Sequence, residues 1–178
     1  MIVGERVRLR PVERDDLPHF VEWFGDPEVR RHLDLYLPFS MAQEERWFES
    51  LQERLDNEEA VMLTIETAEG AHIGNVSLMS INWKDRNAEL GIAIGDKSYW
   101  DKGYGSDAVR TMLKVAFRQM NLHRVRLRVH EDNVRGIRCY EKVGFQHEGT
   151  MRESVFKEGR YYDMHIMGIL KSEYETSG

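Results

Sequence analysis

The chain is 178 residues long, 41% hydrophobic and 31% charged, with a formal net charge of −6 and a single cysteine, Cys139. That length suits one domain over residues 1–178, no apolar run approaches the roughly 18 residues of a membrane span, and the acidic balance excludes a dominant nucleic-acid surface. One cysteine excludes an internal disulfide and a thiolate-based zinc cluster, as expected in a reducing cytoplasm, and the opening Met1-Ile2-Val3-Gly4-Glu5-Arg6 lacks the apolar core of a secretion signal.

Val7, Leu9 and Pro11 alternate as a strand does. Leu17, Phe20, Val21 and Phe24 then recur at helical spacing until Gly25-Asp26-Pro27 stops the run. A short helical piece over 28–32 follows, and Ser40 with Gln43 makes a capping-box start for a helix bearing Trp47, Leu51 and Leu55. From Ala60 the period changes to two, with Val61, Leu63 and Ile65, a Glu69-Gly70 turn, a run over 73–81, the Lys84-Asp85-Arg86 turn, and a run over 87–94. These three strands form an antiparallel meander. A helix follows Gly105 and ends near Met120-Asn121, and Val125, Leu127 and Val129 mark another strand whose charges, Arg124, Arg126 and Arg128, alternate with them. Residues 133–142 form a short helix closed by Gly144, and the chain from Phe145 gives two strands meeting near Lys157-Glu158-Gly159.

Between the third meander strand and the next helix lies Trp100-Asp101-Lys102-Gly103-Tyr104-Gly105-Ser106-Asp107-Ala108. Two glycines let successive N–H groups point at one spot, and the helix adds its unpaired N-terminal donors, so this turn is suited to an anion such as a cofactor pyrophosphate. A nucleotide-triphosphatase loop would end in Gly-Lys-Ser or Gly-Lys-Thr, whereas Gly95-Asp96-Lys97-Ser98 interposes an aspartate. Residues 103–108 do satisfy the dinucleotide pattern G-x-G-x-x-A, with Glu131 where that pattern would put a ribose-binding acid, but an alternating strand carrying Glu89 and an antiparallel meander are foreign to a doubly wound parallel sheet. A tight turn without a ligand is the plain alternative.

Trp100-Asp101-Lys102-Gly103-Tyr104-Gly105 resembles the (Arg or Gln)-x-x-Gly-x-(Gly or Ala) turn of the GNAT superfamily of acyl-CoA-dependent N-acetyltransferases, with Trp100 in place of the usual Arg or Gln. Further on, Asn133-Val134-Arg135-Gly136-Ile137-Arg138-Cys139-Tyr140-Glu141-Lys142-Val143-Gly144-Phe145 resembles the family's Asn-x-x-(Ala or Ser)-x-x-x-Tyr-x-Lys-x-Gly-Phe segment, with Gly136 as the departure. With Val7-Arg8-Leu9-Arg10-Pro11 and Asp15-Asp16-Leu17, the resemblance spans nearly the whole chain. It is to the branch of ribosomal-protein N-terminal alanine acetyltransferases, with further likeness to spermidine acetyltransferases over 87–108 and around Tyr140. The implied fold is α/β (α+β), with a mixed, mostly antiparallel central sheet of about seven strands splayed in the middle and about four flanking helices.

The resemblance also implies acetyl-CoA as co-substrate, with no metal. Main-chain groups of Ile92 and Ile94 are expected to meet the pantetheine or acetyl group, and amides of Lys102, Gly103, Tyr104, Gly105 and Ser106 the pyrophosphate. Asn133 is expected to bond the pantetheine arm, and Arg138 or Lys142 to approach the adenosine phosphates unless they form only a solvated basic helix face. Tyr140 falls where the family places a phenol near the thioester sulfur; packing the helix on the sheet is its alternative role. Glu89 shares a strand face with Gly91 and Ala93, opposite Leu90, and similar enzymes carry a glutamate there that takes the amine's proton through water. An exposed strand glutamate is the alternative, and His130 is a rival base, ahead of His72, His147 and His165, which lack a converging acid in sequence. Cys139 has no identifiable base beside it, so direct transfer in a ternary complex is expected without an acyl-cysteine.

The acceptor is expected to be a primary amine chosen by the N-terminal helices, the loop over 25–40 and the hairpin over 157–162. By the resemblance, a protein or peptide N-terminal α-amine comes first. A polyamine comes second: Glu44, Glu45, Glu49 and Glu53 would suit a polycation, though at helical spacing they form a solvated face as readily. A small amino compound, and a non-catalytic acetyl-CoA sensor or interaction module on the same scaffold, complete the readings. No nucleic-acid or membrane partner is expected, and the resemblance implies a homodimer paired through the C-terminal strands.

Overall fold

Local chemistry fixes most of the element ends. The Asp26 side chain accepts from the Glu28 N–H at 2.8 Å to start α2 (Pro27–Arg30), directly after α1 (Leu17–Gly25). Ser40 and Gln43 exchange hydrogen bonds of 3.3 and 2.9 Å at the start of α3 (Met41–Asp56), the reciprocal cap read from the sequence. In the second half, Asn133 caps α5 (Val134–Val143) and Gly144, at φ 113°, ends it in the left-handed region.

The computed structural model describes residues 1–176. The strands are β1 (Ile2–Val3), β2 (Val7–Pro11), β3 (Val61–Thr67), β4 (His72–Asn82), β5 (Asn87–Ile94), β6 (Arg124–His130), β7 (Gln146–Lys157) and β8 (Arg160–Leu170). Helix α4 (Tyr104–Lys114) continues as a π-helical turn over Val115–Gln119, and α6 spans Lys171–Thr176. One sheet holds all eight described strands in the order β1-β2-β3-β4-β5-β6-β8-β7, and only the β5–β6 pair is parallel. Glu158 and Gly159 join β7 to β8 with φ of 52° and 83°, the paired positive values of a tight hairpin turn.

Side-chain alternation sends alternate residues of the sheet into two apolar layers. Leu90, Val125, Leu127 and Val129 pack with Val109, Met112, Leu113 and Phe117 of α4 and its π turn, and with Tyr140 and Val143 of α5. Against the other face lie Leu17, Phe20 and Trp23 of α1 with Phe48 of α3, joined by Met62 and Trp100. The N-terminal segment is clipped to α4 by the buried carboxylate of Asp107, which accepts from the N–H groups of Glu5, Arg6 and Val7 at 3.2, 2.7 and 3.0 Å.

The mixed, mostly antiparallel sheet expected from the sequence is present, with eight strands and six α-helices among the described residues where about seven and about four are expected. The elements that the sequence does not mark are short: β1 has two residues and α6 six, too few for a periodic pattern to register, whereas the helical piece read over 28–32 is α2. The helix read to about residue 120 changes winding after Lys114, which an apolar spacing of three to four cannot distinguish.

Candidate active site

Strands β5 and β6 pair over only three rungs, Asn87↔Arg124, Ala88↔Val125 and Glu89↔Arg126. Beyond Glu89 they separate, leaving the main chain of Leu90–Ile94 on one side and Leu127–His130 on the other without partners across the gap. A cleft of about 470 Å³ opens there. It is lined by Glu89, Ile92 and Ile94 of β5, by Gly103, Gly105 and Ser106 of the glycine turn, and by Asn133, Arg138, Tyr140 and Lys142 around α5. Of the residues singled out from sequence, Lys102 and Tyr104 are not in its wall; the Tyr104 ring packs edge-on to Tyr99 at 5.2 Å.

At one end of the cleft, Asp101 and Gly103 bend the turn with φ of 57° and 86°. Gly103 is the N-cap of α4 and offers no side-chain oxygen, while the first helical bond runs from the Asp107 N–H to the Gly103 carbonyl at 3.1 Å. The amides of Tyr104, Gly105 and Ser106 are therefore the unpaired donors of the helix start. An added Cβ at Gly105 would lie 3.9 Å from Cys139 Sγ and from Ile94 Cγ1, ordinary contact distances. The Trp100 indole N–H donates to the Ile94 carbonyl at 2.7 Å, and the Arg135 guanidinium lies 3.6 Å from the centroid of the Trp100 ring. Arg135, Arg138 and Lys142 follow one another at i, i+3 and i+7 along α5, all line the cleft, and among the described residues none of them meets a carboxylate. Here sequence reasoning picked out the last two and missed Arg135, whose place beside Trp100 is set by tertiary structure.

Asn133 accepts from the Gly136 N–H through Oδ1 at 2.9 Å, which leaves its amide NH₂ as the group able to face the cleft. Gly136, the departure from the family pattern, makes this possible: a Cβ there would stand 2.6 Å from Asn133 Nδ2. Ser106 Oγ donates to Cys139 Sγ at 3.4 Å, and burial pushes the Cys139 thiol up, so it is a protonated packing group.

Tyr140 is buried in α5, and its hydroxyl has no hydrogen-bond partner among the described residues. Burial pushes the phenol well above its ordinary range, with the neighbouring Cys139 adding to the shift, so its proton is held firmly. Across the cleft Glu89 is pinned at both oxygens: Oε1 accepts from Arg128 Nε at 2.7 Å and Oε2 lies 3.4 Å from Arg126 Nε. The other guanidinium edge of Arg128 reaches Asp34 Oδ2 at 3.6 Å, and Asp34 Oδ1 lies 3.4 Å from His130 Nε2. The hydrogen bond with His130 holds the Asp34 carboxyl below its ordinary range against the effect of burial. His130 Nδ1 faces Lys157 Nζ at 3.1 Å, so neither ring nitrogen offers a free lone pair to an amine. His32, in the same wall, has a buried Nε2 without a hydrogen-bond partner, and burial lowers it to about 4. Asp34 and Lys157 fall in the 25–40 loop and the 157–162 hairpin expected to choose the acceptor, and Arg128 is one of the alternating strand charges, but no motif singles out any of the three.

Among the described residues no group of three or more His, Cys, Asp or Glu side chains is arranged to hold a metal ion, and no helix is long and apolar enough to cross a membrane. A family profile described as an acetyltransferase (GNAT) domain matches residues 6–146. A spermidine N(1)-acetyltransferase of Vibrio cholerae is 33% identical over 183 residues, covering 97% of each chain, and the uncharacterized N-acetyltransferase p20 of Bacillus licheniformis is 29% identical over 172 residues, covering 96% of each. The crystal structure of spermidine N-acetyltransferase from Vibrio cholerae in complex with CoA and spermine superposes with a TM-score of 0.87 at 28% identity, covering 95% of this chain and 98% of that one. A dodecameric structure of spermidine N-acetyltransferase from Vibrio cholerae gives 0.80 at 29% identity, with coverage of 97% and 98%.

Proposed function

The chain belongs to the GNAT acetyltransferase family and is an acetyl-CoA-dependent N-acetyltransferase, and on that premise we propose that its acceptor is a primary amine of a polyamine. What carries the proposal is the likeness along nearly the full chain to spermidine acetyltransferases, one of them solved with CoA and spermine. It puts the polyamine ahead of the protein N-terminus, reversing the order expected from sequence. The Asp34 carboxylate, which lines the cleft and is mostly exposed, is chemically suited to a cationic acceptor.

The residues present fit the donor. The unpaired amides of Gly105 and Ser106, which line the cleft at the start of α4, suit the pyrophosphate, and the unpartnered edges of β5 and β6 suit an extended amide-bearing arm laid between them. Arg138 and Lys142 are assigned to the remaining phosphate charge, and the NH₂ of Asn133 to the arm. Acetyl-CoA supplies an acetyl thioester and a leaving thiolate.

Tyr140 donates a hydrogen bond to the departing sulfur. Its raised phenol keeps its own proton, so it stabilises the thiolate rather than being consumed by it. Glu89 takes the amine's proton through a bridging water, since both of its oxygens are already engaged by arginines and cannot swing towards the nitrogen. We further propose that copies of the chain assemble, as the dodecameric relative does.

An acceptor screen following thiol release from acetyl-CoA tests this reading across spermidine, spermine, peptides with free N-termini and amino acids. The proposal expects kcat/KM for spermidine or spermine to exceed that for any peptide by about a hundredfold or more. Preference for a peptide would restore the protein N-terminus.

A further inference from the structure

The tip of the β7–β8 hairpin is locked onto the acceptor side of the cleft by Lys157. Its ammonium has three protons, and three acceptors surround it: Asp132 Oδ1 at 2.6 Å, His130 Nδ1 at 3.1 Å and the Arg31 carbonyl at 3.3 Å. The Tyr162 ring lies 4.7 Å beneath the charge, and the side chain is only 14% exposed. Next to it, Glu158 Oε1 accepts from Arg31 at 2.5 Å, so the hairpin turn is tied twice to the segment that leads into Asp34.

An ammonium can only donate, so His130 Nδ1 must accept and the ring proton must sit on Nε2. Nε2–H then points at Asp34 Oδ1, 3.4 Å away. The two carboxylates on this side of the cleft are held very differently. Glu89 is gripped at 2.7 Å, whereas Asp34 is 63% exposed and has only the 3.4 Å contact with His130 and a 3.6 Å approach from Arg128. Asp34 is thus the one that can keep its contact with His130 and still take an incoming cation on its remaining lone pairs.

We propose that Lys157 is a positioning residue for acceptor recognition: it fixes His130 as the Nε2–H tautomer, which aims the Asp34 carboxylate at a cationic group of the acceptor. For the charge of the acceptor the inference rests on the polyamine reading; for the tautomer it does not. The hairpin tip, remote in sequence from the catalytic strand, becomes part of the specificity machinery. His130 becomes a donor in that machinery and leaves the set of candidate bases.

Two-bond ¹H–¹⁵N spectra of histidine-labelled protein, with His130 assigned by loss of its signal in His130→Gln, read the tautomer directly. The expected wild-type pattern has Nε2 protonated and Nδ1 bare. In Lys157→Met the pattern shifts towards the other tautomer, and KM for spermidine rises about tenfold while KM for acetyl-CoA stays constant, the size expected for losing one charge-assisted contact. Lys157→Arg recovers part of the acceptor KM. Asp34→Asn raises the same KM and leaves the tautomer alone. A wild-type proton on Nδ1 overturns the proposal even if Lys157→Met fails to fold, and so does a folded Lys157→Met with unchanged tautomer and acceptor KM. Should the acceptor screen select a monoamine, the polyamine reading and the role given to Asp34 fail together, while the tautomer still decides the role of Lys157.

Discussion

Arg135 stacks on Trp100 across the two lips of the cleft, the arginine from the first turn of α5 and the tryptophan from the segment entering the glycine turn. The indole ring stands where the family motif has Arg or Gln, and the stack holds the Arg135 charge at the edge of the cleft beside the glycine turn. Arg135→Ala should raise KM for acetyl-CoA about tenfold with little change in kcat, as expected for one lost phosphate contact. Trp100→Leu, which removes the platform, should do nearly the same. Initial rates with varied acetyl-CoA check both, and an unchanged KM in Arg135→Ala would leave the stack a packing feature.

Gly105→Asp separates fold from binding. Its Cβ has only ordinary contacts at 3.9 Å, so the protein should fold with its melting temperature nearly intact. The new carboxylate would sit at the helix start where an anion belongs, and acetyl-CoA binding should disappear in calorimetry.

Tyr140→Phe should lower kcat about a hundredfold and spare KM for acetyl-CoA, the signature of an interaction made only as the thiolate forms. Glu89→Gln should lower kcat by about tenfold or more while acetyl-CoA still binds, because the amide keeps the shape of the strand face but cannot take a proton. Steady-state kinetics with both substrates varied check each; full activity in either variant removes that residue from the chemistry.

Acid should lower the stability of the fold over two pH windows. His32 and His72 are both lowered from 6.5 to about 4, chiefly by burial, with the Asp132 and Asp16 carboxylates opposing the shift. A depressed histidine binds protons in the unfolded chain before it does in the folded one, so stability is complete above pH 6.5 and is lost as pH falls towards 4. For Asp16, burial alone would raise the carboxyl, but hydrogen bonds from Arg10, the Glu13 N–H and Thr64 outweigh it and bring it from 3.8 to about 2. Its contribution is present above 3.8 and is lost as pH falls through 2. Melting temperatures from pH 8 to 2 should show both windows, and His32→Gln should flatten the first.

Asp107→Asn should destabilise the fold by about 1–3 kcal/mol, since the buried carboxylate gathers three backbone N–H groups and an amide can serve fewer of them. Denaturant unfolding measures the loss. Because the same residue lies in the first turn of α4, KM for acetyl-CoA should rise as well.

What the sequence made legible was local or periodic. The Ser40–Gln43 cap, the left-handed Gly103 and Gly144, and the hairpin at Glu158-Gly159 are decided by residues within a few positions of one another. Glu89 lies in β5 at even spacing from Gly91 and Ala93, so strand alternation alone gives their shared face, and Arg126 and Arg128 stand out as alternating strand charges. That these two arginines clamp Glu89 follows only from the parallel register of β5 with β6, which no local pattern encodes. The same holds for Arg135 on Trp100 and for Lys157 on His130: each pair joins segments brought together after the sheet has formed.

A sheet that stops pairing after Glu89 carries two raw edges in its interior, where most proteins have none. The arm of the acyl donor, laid between them, would act as a borrowed strand and complete the ladder. Folding stability then rises with the logarithm of donor concentration, and the amides of Leu90–Ile94 and Leu127–His130 exchange with solvent more slowly as the donor accumulates. In a cell that degrades whatever opens, abundance of the enzyme would follow supply of its substrate without any separate regulator.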